Sequence, residues 1–263
     1  MDISMPREFP EAEFRAFGRA ADAFFPGLVS DENLSDPLER RTQFDWAWQA
    51  VRYRYRLCAE CSEEFRSLLA NASESWRADA GDEGLSYKLE RCIYIFFMSG
   101  LSVFESLGFC LYFLGNALEP SEFPHVAKPK KITLDATNKA FGTAFPRAAI
   151  TRRLAELTQK PEFTMLDGVR NTLAHRLSGR RSVRSSGILR RDRTYECTRR
   201  EDEWYIPGSN EKLMFDEGML QRQLTTVTSL LSTLVAASRE FAEQNQAVRS
   251  KPAPGSAVSG IPA

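Results

Sequence analysis

The sequence predicts an all-α protein: an antiparallel bundle of four to five main helices, with a small β-hairpin insertion around residues 183–207. Three observations carry this. Long segments place apolar residues at alternating steps of four and three, the spacing of a helix face packed along other helices. Prolines and capping residues punctuate those segments where helices would begin and end. One interval, 180–212, drops the helical period and loosely alternates apolar residues with charges.

Taken in order, residues 1–36 form an acidic N-terminal extension rich in Phe and Pro, with one short helical stretch around Glu11–Phe25. Ser35-Asp36-Pro37 reads as a helix start, a capping side chain followed by Pro in the first turn. The helix that follows carries Phe44, Trp48, Val51, Tyr55, Cys58, Phe65 and Leu69 on one seam. Asn71–Gly84 is a polar loop. A central apolar helix runs from about Ser86 to Leu118, where Pro120 and Pro124 end it. Residues 119–146 form a connector with a short helix near Leu134–Ala140, and a further helix spans about Arg147–Gln159. Pro161 opens the next helix, Leu166, Val169 and Leu173 mark its packed face, and Ser178-Gly179 closes it. From Phe215 a last long helix presents Leu220, Leu224, Val227, Leu231, Leu234 and Phe241. The main domain is therefore 37–248 with a basic insertion at 180–212, followed by a disordered tail, 249–263, rich in Pro, Gly, Ala and Ser.

Composition narrows the function classes. The 263 residues suffice for a sizeable core, and 35 basic residues balance 35 acidic ones. No global field draws such a chain to nucleic acid, so polyanion binding must come from local patches. The sequence lacks a Gly-rich phosphate loop, a dinucleotide fingerprint and a zinc-finger pattern. Cys58-Ala-Glu-Cys61 has redox or zinc-like spacing, but no second pair follows it. The five scattered cysteines read as buried thiols in a reducing cytoplasm. The N-terminus has neither a basic n-region nor an apolar h-region, so no secretory signal is expected. Cys92–Leu118 is long enough to cross a membrane, yet Glu105 stands in its middle and Ser and Gly dilute it. The centre of a bundle fits better than a bilayer.

The chain has two histidines. His125 lies in a Pro-rich connector and reads as a surface residue. His175 closes the run Arg170-Asn171-Thr172-Leu173-Ala174-His175, in the last turns of a late helix. This run resembles the R-[NDH]-x-x-x-H signature of HEPN domains, small helical bundles of which many are metal-independent RNases of toxin–antitoxin and defence systems. The resemblance covers the bundle, roughly residues 38–245, and its specific part is six residues. It implies an endoribonuclease, without metal or cofactor, that leaves a 2′,3′-cyclic phosphate and a 5′-hydroxyl. It also implies a homodimer in which two copies of the motif share one cleft.

The residue chemistry agrees with that expectation. Cleaving RNA without a metal needs a base for the ribose 2′-OH, an acid for the departing 5′-oxygen, and positive charge for the crowded phosphorane. Imidazole, with a pKa of about 6.5, can act as base or acid. Arg170 is permanently charged and forked for phosphate oxygens. Five residues rotate about 140° around a helix, so Arg170 and His175 do not share one face, whereas Asn171 and His175 do. A site built from two protomers answers this, with Asn171 orienting His175 or binding phosphate. Glu105, a lone carboxylate on the apolar helix, either orients His175 or Arg170 from across the bundle or makes a structural ion pair. Asp167 either holds the Arg170 guanidinium or is a solvated helix charge.

Beyond His175 lies the strongly basic stretch of this neutral chain. Nine arginines fall between 176 and 200, against Asp192 and Glu196. Arg176, Arg180, Arg181, Arg184, Arg190 and Arg191 are candidate RNA contacts, with Tyr195 and Trp204 as stacking groups. The other reading is a solvated loop whose charges pair with Glu201, Asp202 and Glu203. Val51-Arg-Tyr-Arg-Tyr-Arg56 also mixes aromatics and bases, but on a helix that alternation is scattered and reads as packing plus surface charge. Some family members carry Tyr two residues after the His, modified by a partner nucleotidyltransferase. Leu177 stands there, so that mode of neutralisation is not expected, although another antitoxin or regulatory partner fits. The alternative function is a non-catalytic helical module that binds RNA, nucleotide or a partner protein.

Overall fold

The computed structural model describes residues 5–25, 37–72, 83–124, 131–174, 179–189, 195–205 and 212–249. The chain is mostly helical, with one small antiparallel sheet. Its elements are α1 (Glu11–Asp22), α2 (Pro37–Ala70), α3 (Glu83–Leu118), α4 (Leu134–Ala144), α5 (Ala149–Gln159), α6 (Pro161–Ala174), β1 (Arg180–Leu189), β2 (Tyr195–Tyr205), β3 (Lys212–Met214) and α7 (Met219–Arg249). Prolines at 37 and 161 open helices as their fixed φ favours, and Thr133 caps α4 by accepting from the Ala136 N–H at 3.1 Å. The proposed cap residues of α2, Ser35 and Asp36, lie outside the described residues, as do His125 and the tail from Ser250.

α3 is the hub and packs on α2, α4, α6 and α7. It pairs antiparallel with α2. The Cys58 thiol donates to the Phe96 carbonyl near one end of the seam, and the Cys110 thiol to the Phe44 carbonyl near the other. α7 runs antiparallel to α2 as well, tied by Tyr55 to Thr228 at 2.6 Å and Ser62 to Gln221 at 3.2 Å. The apolar seams expected of α2 and α7 are buried, from Phe44 to Leu69 and from Leu220 to Phe241. Trp48 is the partly buried member. It faces α1, where Phe14 stacks on it at 3.5 Å and Phe17 packs at 5.6 Å. The helical part of the N-terminal extension thus contributes to the core, against both α2 and α7.

α3 is the one helix among the described residues long and apolar enough to cross a membrane, and 67% of its most apolar window is buried inside the protein. Its apolar surface is used by its neighbours, as a bundle core requires. Cys58, Cys61, Cys92 and Cys110 are buried and free. Burial pushes all four thiols up, Cys61 to about 11 and Cys92 to about 12.

The insertion is a three-stranded sheet in the order β1-β2-β3. β1 pairs with β2 from Arg180 opposite Tyr205 to Leu189 opposite Tyr195, with an irregularity between Ser186 and Gly187. The sheet is anchored to α3 by Trp204. Its indole is buried, lies parallel to the Phe97 ring at 6.1 Å, and donates its Nε1–H to Glu90 at 3.1 Å. Trp204 is therefore a packing residue and not a base-stacking one, because its ring faces have protein neighbours. Gly179 also has a different role from the one its position suggested. It does not adopt the left-handed backbone of a helix cap; a side chain there would overlap the Trp204 indole.

Candidate functional site

α6 carries the candidate motif in its last turns, fixed by Phe163, Leu166, Val169 and Leu173, all buried against the bundle. Its polar side holds a chain of hydrogen bonds. Asn171 lies four residues after Asp167, one helical turn on the same face, and donates Nδ2–H to Asp167 Oδ1 at 3.0 Å. That bond turns the amide oxygen of Asn171 toward Arg170, whose Nη1–H donates to it at 2.9 Å. Arg170 then crosses to α3, donating Nη2–H to Glu105 Oε1 at 3.4 Å. The other Glu105 oxygen accepts from Ser102 Oγ at 3.1 Å, one turn back along α3.

Three predicted site residues, Arg170, Asn171 and Glu105, therefore meet, although Glu105 and Arg170 stand 65 positions apart. Asp167 holds Asn171 and not the guanidinium, because the four-residue spacing places Asn171 directly over it. The carboxylate on the apolar helix has its partner, as a charge in such a setting must. Arg170 and Glu105 keep 29% and 41% of their side chains exposed, so both remain reachable from solvent. His175 and Arg176 lie just past the described end of α6, outside the described residues, as do Arg190 and Arg191.

Glu105 also borders a concave groove of about 450 Å³ between α2, α3 and the start of α4. Trp46, Arg54, Ser106, Phe109 and Thr133 contribute to its walls. Arg54 was not singled out by its sequence surroundings. It reaches from α2 across to α3, where its Nη1–H donates to the Ser102 carbonyl at 2.9 Å and to the Ser106 hydroxyl. Ser102 thus links Arg54 to Glu105, and Glu105 links to Arg170. The signal that could have found Arg54 is its placement beside Val51 and Tyr55, whose burial turns that side of α2 toward α3.

The basic insertion divides. Arg181 is committed inside the protein: its Nε–H donates to Asp202 Oδ1 at 2.7 Å, and its guanidinium lies over the Phe215 ring at 5.0 Å. With only 11% of the side chain exposed, it is not a phosphate ligand on an open flap. The register permits this: Asp202 lies opposite Val183, two positions along from Arg181, so Arg181 reaches it as a diagonal neighbour, and Arg184 stands opposite Glu201. Lys212 pairs with Glu203 at 3.0 Å. Arg180 and Arg184 are exposed. Among the described residues no group of three or more His, Cys, Asp or Glu side chains converges as a metal site would. Comparison of the chain with protein-family models, curated proteins and solved structures finds no match.

Proposed function

We propose that this chain is a HEPN-like, metal-independent endoribonuclease acting as a homodimer, of the kind that serves as a toxin or defence effector. The observation that carries the reading is the Arg170 side chain, clamped near the end of α6 between Asn171 on its own helix and Glu105 on α3. A guanidinium held by two acceptors is pre-oriented, and the second N–H of each terminal nitrogen is left for the oxygens of a phosphate, Nε being buried. In sequence His175 follows Ala174, the last described residue of α6. In the proposed reaction one imidazole takes the proton of the ribose 2′-OH as its oxygen bonds to phosphorus. The bond from phosphorus to the 5′-oxygen breaks, and that oxygen takes a proton from the imidazole of the second protomer. The negative charge gathering on the phosphorane oxygens is stabilised by Arg170.

The test is incubation of varied RNAs with the full chain in EDTA. Wild-type protein should yield fragments ending in 2′,3′-cyclic phosphate and 5′-hydroxyl, and His175→Ala should lower the rate by about 10²-fold or more. Equal cleavage by both proteins, or none by either, would overturn the reading. RNA retention without any cyclic phosphate would select the non-catalytic module.

A further inference from the structure

We infer that the groove between α2, α3 and the start of α4 holds an unpaired nucleobase of the RNA strand, stacked on Trp46. The inference rests on the ribonuclease reading for its placement and deepens it by naming the substrate class: single-stranded RNA, not duplex. Trp46 is 63% exposed on a wall of the groove, a large aromatic surface left to solvent. It has no ring neighbour among the described aromatics, whereas Trp48, two positions on, is covered by Phe14, Phe17 and Phe44. Small side chains, Ala47 and Ala50, leave the space beside it open. A volume of about 450 Å³ falls in the range of small-ligand pockets.

The polar groups suit a nucleotide. Arg54 spends Nη1 on Ser102 and Ser106, which fixes the guanidinium plane. Its other N–H groups have no partner among the described residues and can meet a backbone phosphate. Glu105 has one bond on each oxygen, and each oxygen keeps a second lone pair for the N–H edge of a base. Continuity supplies the remaining argument. Glu105 is at once a wall of the groove and the partner of Arg170, so a base in the groove stands within a nucleotide or two of a phosphate at Arg170. Duplex RNA cannot offer this, because its bases are stacked on each other and paired. Stacking on an aromatic side chain with charge alongside is how single strands are held.

The test measures binding separately from cleavage. Full-length His175→Ala protein in EDTA is titrated with a fluorescent single-stranded oligoribonucleotide and with the same strand annealed to its complement as a blunt duplex. Trp46→Ala and Trp46→Phe are then made in that background. The expected result is single-strand preference, an affinity loss of about tenfold or more for Trp46→Ala, and near-complete retention for Trp46→Phe. Trp46 is exposed, so thermal melting of both variants should match the parent and exclude misfolding. Unchanged affinity in Trp46→Ala, or equal affinity for duplex and single strand, overturns the inference. So does a change of sedimentation in Trp46→Ala with RNA affinity intact, which would make the groove a protein interface. Wild-type cleavage with Trp46-independent binding removes this inference alone; Trp46-dependent binding with no cleavage by the wild type removes the catalytic reading alone.

Discussion

Arg170 is where charge, geometry and exposure meet. Its two terminal nitrogens serve different acceptors on different helices, Asn171 at 2.9 Å and Glu105 at 3.4 Å. A lysine keeps the charge but concentrates its donors at one point, and cannot reproduce that fork. Arg170→Lys should therefore lower RNA cleavage by about 10²-fold while the melting temperature stays within about 4 °C of the parent. Loss of folding together with activity would make Arg170 structural instead. Glu105 acts through Arg170, as a positioning residue. Glu105→Ala should reduce kcat and, through the lost contact to the nucleobase, raise KM; Glu105→Gln, whose amide oxygen still accepts from Arg170 while its NH2 donates to the Ser102 hydroxyl, should recover most of kcat. The sequence made this pair legible because Glu105, the one charge between Cys92 and Leu118, has to find a partner in that apolar stretch. For Asp167 it offered the Arg170 guanidinium or solvent and did not name Asn171, whose four-residue spacing prevailed over the three-residue spacing to Arg170. Arg54 stayed hidden because its value comes from Ser102 and Ser106, 48 and 52 positions away.

At the scale of elements, the helix boundaries were legible wherever local chemistry sets them. Pro37 and Pro161 begin helices, and Leu118 ends one just before Pro120. The four-three seams fixed which faces of α2 and α7 are buried. The insertion was less legible. Its strands followed from alternation, but its docking depends on one contact between Gly179 and Trp204 that no local pattern encodes. The Trp204 indole occupies the place of a Gly179 side chain, so Gly179→Ala must displace the ring from Phe97 and stretch its bond to Glu90. That displacement should cost about 1–3 kcal/mol, read as a lower urea midpoint with an unchanged slope. Near-ultraviolet circular dichroism should report the altered Trp204 environment. A midpoint equal to the parent's would mean that the ring is not seated as described. The sheet also explains why a run of arginines overstated the phosphate-binding surface: Arg181 is spent on its diagonal neighbour Asp202, and Arg184 stands opposite Glu201.

The whole molecule is organised around α3, and its core holds several ionisable groups that stay neutral. Tyr55, Cys58 and Cys61 from α2 and Cys92 and Cys110 from α3 are all buried among apolar neighbours. Desolvation is the largest cause in each case, and it disfavours the anion. Tyr55 is pushed up to about 12, Cys61 to about 11 and Cys92 to about 12, from ordinary values of 10.0 for the phenol and 9.0 for the thiols. The unfolded chain releases these protons at the ordinary values, while the folded chain retains them. Between pH 9 and about 12 the unfolded state therefore binds fewer protons, and stability falls as pH rises. Below pH 9 all the groups are protonated in both states, and their contribution is fully present. The melting temperature should thus be flat from pH 7 to 8.5 and fall by about 5 °C or more by pH 10.5. Alkylation of the four buried thiols should stay slow until that fall begins, since the thiolate is the reactive form and is withheld by the fold. Replacing Cys61 and Cys92 together with Ala should soften the alkaline decline while lowering stability at neutral pH, because the titrating groups leave and a cavity remains. An alkaline limb equally steep in that double variant would show that Cys61 and Cys92 do not govern it.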